Sequence, residues 1–206
     1  MVRVIGGSAR GRPLRAPRSA GVRPTADRVR EAMFDVLAHL GAVSRARVLD
    51  AFAGSGALGI EALSRGAESV TFVEADRRVA AVVEENLAAT GFSNSPAVRI
   101  VRGDALGYLA GAREHFDLAL LDPPYAFAEW DRLLERCAAA LVVIESDRPV
   151  PLPAHLALHR SYRYGTTLLT VARALPVHAA AHDARGEGAA PVRGSEPAGA
   201  ARKERS

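Results

Sequence analysis

The sequence predicts an α/β fold: a seven-stranded, mostly parallel sheet closed by a C-terminal antiparallel hairpin and preceded by a small basic β-hairpin and a helix. Three observations predict it. Short apolar runs alternate with helical-period segments between residues 48 and 144, the pattern of βα units that cover both faces of a parallel sheet. The last two apolar runs, at 156–160 and 168–172, have no helix between them and read as an antiparallel hairpin. A glycine-rich loop follows the first sheet strand and opens a helix, the arrangement of nucleotide-binding α/β folds at a switch point.

The elements follow in order. Residues 3–5 form a short strand, a Gly-rich turn follows, and the chain returns near Leu14. Arg23-Pro24-Thr25 leads into a helix with Thr25 as N-cap. Val29, Met33, Val36, Leu37 and Leu40 recur at helical spacing until Gly41 ends the run. A strand at 48–49, a helix at 57–64, a strand at 70–73 and a helix at 77–90 come next. Gly66 and Gly91 read as helix C-caps. A strand at 98–101, a helical turn at 105–111, a buried strand at 116–121, a helix at 129–140 and a strand at 141–144 complete the alternation. From Pro176 onward there is no Phe, Trp or Tyr, and Val177 and Val192 are the only large aliphatics, so the tail is expected to be disordered. The chain thus divides into an arm at 1–24, an α/β domain at 25–175 and a tail at 176–206.

Composition narrows the function classes. A chain of 206 residues suits one α/β domain with a full core. Its apolar runs are too short to span a bilayer, and the N-terminus lacks the apolar stretch of a secretory signal, which predicts a cytoplasmic protein with no membrane partner. Cys137 is alone, which excludes an internal disulfide and fits a reducing cytosol. Neither that cysteine nor the scattered histidines form a metal set, so no metal is expected. Net charge is +4, yet residues 1–30 carry eight arginines against one acid, Asp27. A basic arm on a near-neutral body is an electrostatic footprint for phosphate; a solvated basic tail is the plainer alternative.

The glycine loop is the first functional motif. Gly54, Gly56 and Gly59 match G-x-G-x-x-G, and Glu74 ends the next strand, where an acid can hold ribose hydroxyls. Alone, the loop fits a dinucleotide or an S-adenosylmethionine site. Two acids favour S-adenosylmethionine. Asp50, at the strand end, would repel a pyrophosphate and attract a cationic amino-acid group; Asp104 ends the third strand and suits an adenine amino group.

Asp122-Pro123-Pro124-Tyr125 is the second motif, directly after the buried run at 116–121. Two prolines cannot continue a strand, so they freeze a bend beside an acid and an aromatic ring. That is an acceptor-rich pocket with a stacking wall, suited to a flat base carrying an NH2 group. Asp122 and the Pro123 carbonyl would orient the amine toward the methyl donor, and Tyr125 would stack on the base. Methylation of a ring carbon would need a cysteine nucleophile, whereas Cys137 lies in an expected amphipathic helix as a small core residue.

The stretch Arg23-Pro24-Thr25-Ala26-Asp27-Arg28-Val29-Arg30-Glu31-Ala32, the loop from Asp50 to Gly59, the run from Glu61 to Ala67 and Asp122-Pro123-Pro124-Tyr125 together resemble the bacterial 16S rRNA guanine-N2 methyltransferases, small class I enzymes with a Rossmann-like fold. The resemblance spans residues 2 to 173. It implies S-adenosylmethionine held by Asp50, Phe52, Gly54, Ser55, Gly56, Glu74, Asp104 and Ala105, and a target base held by Asp122, Pro123, Pro124 and Tyr125. It also implies a grip on 16S rRNA of the small ribosomal subunit by the arm, through Arg3, Arg10, Arg12, Arg15, Arg23 and Arg28; a monomer is expected, though no motif specifies the oligomeric state. Ala51 stands where a larger apolar residue is usual, and the tail has no recognised counterpart. The Asp-Pro-Pro-Tyr motif does not separate guanine N2 from adenine N6, so a DNA adenine-N6 methyltransferase stays open, as, more remotely, do an NAD-dependent oxidoreductase and a catalytically silent ribosome-binding factor.

Overall fold

The computed structural model describes residues 2–17 and 27–176, together with the backbone of 24–26. Arg23 and the expected disorder of the tail lie outside the described residues. A two-stranded hairpin of β1 (Val2–Arg3) and β2 (Pro13–Leu14) comes first, then α1 (Pro24–His39). The sheet is built from β3 (Arg47–Asp50), β4 (Ser69–Glu74), β5 (Val98–Arg102), β6 (Phe116–Leu121), β7 (Ala139–Ser146), β8 (Leu156–Tyr164) and β9 (Thr167–Ala174). Between its strands run α2 (Ala57–Ser64), α3 (Arg77–Thr90), α4 (Ala105–Gly111) and α5 (Trp130–Arg136).

The strand order is β5-β4-β3-β6-β7-β9-β8, parallel from β5 to β7 and antiparallel for the last two. The expected fold class is therefore what forms. Strand residues alternate between two cores. Val48, Leu118 and Leu120 join one, with α1, α2 and α3; Leu49, Ala119 and Leu121 join the other, with α4 and α5. Burial on both faces explains why these strands read as continuous apolar runs. The chain builds outward from β3 to β5, then returns to lay β6 on the other side of β3. That reversal opens a crevice at the carboxyl ends of β3 and β6, where ligands bind in such sheets.

Some boundaries differ from expectation. The first helix starts at Pro24, a residue suited to the first helical position, so Thr25 lies within the helix rather than capping it. The helix expected at 129–140 stops at Arg136, and β7 begins at Ala139. Alanines at 138–140 favour helix, but Ala139 pairs with Phe116 of β6, so sheet pairing overrides local preference. Cys137 consequently lies just past the helix rather than within it, yet it is buried as expected, and burial pushes its thiol pKa up to about 12. Its thiolate is thus unavailable at neutral pH.

The N-terminal hairpin is docked, not free. Glu61 on α2 is fully buried; its carboxylate accepts N–H bonds from Ile5 (2.7 Å) and Gly6 (2.8 Å) and pairs with Arg65 Nε (2.7 Å). Ser64 Oγ donates to the Gly6 carbonyl and accepts from Ala9 N–H. Gly7 is needed at this contact: its φ is +78°, and a Cβ there would lie 1.8 Å from the Ser64 carbonyl oxygen. Arg30 is also structural. Its buried guanidinium donates to the Arg3 carbonyl (2.7 Å) and pairs with Asp27, with burial drawing its pKa down against the opposing pull of Asp27 and Glu61.

Candidate active site

The crevice is a cleft of about 860 Å³, within the usual range for small-molecule sites. The glycine loop, Glu74, Asp104 and the Asp122–Tyr125 bend all line it. The two motifs, nearly seventy residues apart in sequence, thus meet in one cavity because β3 and β6 are neighbours.

The loop is held from below. Ala51 N–H donates to Leu120 O (3.1 Å) and Ala53 N–H to Val73 O (2.9 Å). Glu74 accepts Gly54 N–H on one oxygen and Asp76 N–H on the other, both at 2.9 Å. A carboxylate has about four acceptor positions, so Glu74 retains capacity toward the cleft it lines. Gly59 N–H donates to Asp50 (2.9 Å), and a Cβ on Gly59 would sit 2.2 Å from the Phe72 ring. Only glycine lets α2 approach β4 this closely.

Asp50 is placed differently from the other acids. It is buried beneath the loop, outside the cleft lining, with its carboxylate on the Gly59 N–H. Desolvation pushes its pKa up to about 7, opposed by the Gly59 hydrogen bond and reinforced by Asp122 and Glu74. The folded chain therefore holds this proton where the unfolded chain has released it. Stability should fall as pH rises from about 4, the unfolded carboxylate's range, to about 7. Asp50→Asn should flatten that slope in urea unfolding curves between these limits; an unchanged slope would discount Asp50 as its source.

Asp104 combines two roles that are alternatives in sequence. It caps α4 by accepting Gly107 N–H (2.7 Å) and lines the cleft. Phe52, Ser55 and Ala105 line it as well, while Gly56 turns the loop into α2 with φ +79° just outside it. On the other side, Phe127 N–H donates to Pro124 O (2.8 Å), closing the bend after the prolines. Phe127 stands edge-on to Phe52 (5.4 Å between centroids) and to Trp130 (5.2 Å), giving the cleft an aromatic wall. Tyr125 is 41% exposed at the mouth.

A family model described as Conserved hypothetical protein 95 matches residues 2–173. The Escherichia coli (strain K12) protein named Ribosomal RNA small subunit methyltransferase D is 41% identical over 169 residues, covering 77% of this chain and 83% of that protein. The chain belongs to the small-subunit rRNA methyltransferase D family. A Haemophilus influenzae protein of the same name is 38% identical over 160 residues, 73% of this chain and 81% of its own. Among solved structures, Escherichia coli yhhF superposes with a TM-score of 0.74 at 36% identity, covering 84% of this chain and 97% of that one. A hypothetical protein from Thermus thermophilus does so with a TM-score of 0.71 at 35% identity, covering 83% and 98%.

Several site residues of this methyltransferase D family member escape a sequence reading. Glu145 on β7, Thr166 and Thr167 at the β8–β9 turn, and Pro17 in the arm all line the cleft. Asn86 of α3 is buried and joins arm to loop: its Nδ2 donates to Arg15 O (2.9 Å) and Ser55 O (2.8 Å), and its Oδ1 accepts Arg15 N–H (2.8 Å). The helical spacing Val83, Asn86, Leu87, Thr90 puts a polar residue on the buried face, which is the available sign. Of the expected arm residues, Arg10 and Arg12 are exposed, Arg12 reaching Ala89 O (2.9 Å). Arg15 pairs with Glu85 at the surface (2.7 Å). Arg3 and Arg28 are exposed as well. Among the described residues no helix is long and apolar enough to cross a membrane, and no acidic, His or Cys cluster is arranged for a metal.

Proposed function

We propose that this protein transfers a methyl group from S-adenosylmethionine to the exocyclic N2 of one guanine in 16S rRNA, acting as a monomer on the small ribosomal subunit. The observation that carries the reading is the shared cleft of the glycine loop, Glu74 and Asp104 with the Asp122–Tyr125 bend. The names of the relatives, which specify small-subunit rRNA, support the substrate class. The donor set fits the cofactor: a carboxylate with spare acceptor capacity for ribose hydroxyls, a second acid for an amino group, and apolar walls from Phe52, Val73 and Leu106.

When bound, S-adenosylmethionine supplies an electrophilic methyl on a sulfonium. Glu74 and Asp104 fix the nucleoside part, and the Gly54–Ser55 backbone allows close approach. Asp50 acts through the loop, by fixing the Gly59 N–H beneath it. An amine conjugated to a purine ring is a weak nucleophile. Asp122 and the Pro123 carbonyl accept its hydrogens and favour a pyramidal nitrogen with its lone pair directed at the methyl. Methyl transfer to that nitrogen would break the methyl–sulfur bond, leave S-adenosylhomocysteine and put a surplus proton on the amine, which Asp122 would take up. Positioning carries most of the acceleration, a regime worth up to roughly 7–11 kcal/mol. Tyr125 stacks on a base turned out of its helix, worth about 1–3 kcal/mol. Methylated-nucleoside mapping of 16S rRNA from a strain lacking the protein tests the reading: one N2-methylguanosine should vanish, and an unchanged set would sink it.

The exposed arginines of the arm supply the grip on phosphate. The triple change of Arg10, Arg12 and Arg15 to Ala should weaken binding to 16S rRNA. The slope of log affinity against log salt should shrink by about 1 for each phosphate no longer neutralised, with S-adenosylhomocysteine affinity unmoved. A salt slope equal to wild type would place the grip elsewhere.

A further inference from the structure

Asp122 has a second carboxylate beside it. Leu121 of β6 pairs with Ile144 of β7 in parallel register, so the next residues, Asp122 and Glu145, emerge side by side at the carboxyl ends of adjacent strands. Neighbouring strands run about 4.8 Å apart, and both residues line the cleft. Glu145 is half-buried, with Thr166 and Thr167 of the β8–β9 turn lining the same cavity.

Two adjacent carboxylates lining the cleft can accept from two adjacent donors. On its Watson–Crick edge guanine offers the N2 amine next to the N1–H. Adenine offers its amine next to a bare N1, itself an acceptor. With Asp122 on the amine, the neighbouring carboxylate meets a donor in guanine and a lone pair in adenine. We propose that Glu145 is the specificity-determining residue of this site, accepting the guanine N1–H while Asp122 holds the N2 amine. The inference rests on the guanine-N2 reading above and supplies what Asp-Pro-Pro-Tyr lacks, a reason for guanine over adenine. Discrimination comes from both signs: a charge-assisted hydrogen bond with the right base, and a carboxylate set against a lone pair with the wrong one.

The test uses the full-length protein and small subunits reconstituted from 16S rRNA carrying either guanine or 2-aminopurine at the mapped target. 2-Aminopurine keeps the C2 amine but has an acceptor at N1. Wild type should methylate guanine and strongly disfavour 2-aminopurine. Glu145→Gln, nearly isosteric and able to donate from its amide, should lose about 10–100-fold in kcat/KM on guanine and favour 2-aminopurine relative to wild type, narrowing the ratio at least tenfold. S-adenosylhomocysteine affinity within a factor of about three of wild type confirms the variant's fold. A correctly folded Glu145→Gln with the wild-type ratio overturns the inference while leaving the guanine-N2 reading intact. Wild type inactive on the guanine substrate overturns that reading itself.

Discussion

Asp122→Ala should lower methyl transfer to small subunits by about 10³-fold, within the range for losing a positioned acid–base group, while S-adenosylhomocysteine binds normally. The asymmetry follows from position. Asp122 lies beyond the end of β6 and is exposed at the cleft, so removing its carboxylate opens no void in the core. In the proposed reading the cofactor side belongs to other groups: Glu74 on the Gly54 N–H and Asp104 at the start of α4. Asp122→Asn separates the two roles. The amide can orient an amine through its carbonyl oxygen but cannot take up the proton at neutral pH, so its rate should fall between wild type and Ala. Single-turnover rates with both variants, alongside calorimetry of S-adenosylhomocysteine, check this. Near-wild-type transfer by Asp122→Ala would remove Asp122 from the chemistry and leave a binding-only role for the bend.

The largest expected effect on stability is at Glu61. Its carboxylate serves Ile5 N–H, Gly6 N–H and Arg65 at once, in a site closed to solvent. Glu61→Ala orphans two backbone donors and a mostly buried guanidinium; breaking a buried pair from one side costs about 3–5 kcal/mol. For a domain of this size that is on the order of 10 °C in Tm. The loss should be local in origin: amide exchange at residues 4–9 should accelerate before the sheet opens. Glu61→Gln should recover part of it, since the amide oxygen still accepts one bond. A Tm within about 2 °C of wild type for Glu61→Ala would mean that the other contacts of the arm, among them those of Arg30, Ser64 and Asn86, hold it without Glu61.

These residues mark where the sequence is legible. The sheet reads directly because β3, β6 and β7 are buried on both faces and flanked by helical-period segments. The glycine loop and the Pro-Pro bend read directly because both depend on backbone constraints that only Gly and Pro impose. Glu61, Asn86 and Glu145 do not. Each is an ordinary polar residue within a regular element, and its role arises from what distant chain lays against it: the arm on α2, Arg15 and Ser55 on α3, and the β8–β9 turn beside β7. Asp50 shows the converse. Its position at the strand end points to a ligand, yet tertiary packing turns it under the loop, onto Gly59. The start of β7 at Ala139 makes the same point, since alanine's helical preference is small beside pairing with β6.

Purified protein incubated with S-adenosylmethionine and small subunits lacking the modification, followed by nucleoside identification, tests the central claim most directly. One N2-methylguanosine per 16S rRNA is the predicted result; methyl appearing on adenine N6, or on duplex DNA with none on the subunits, would contradict it.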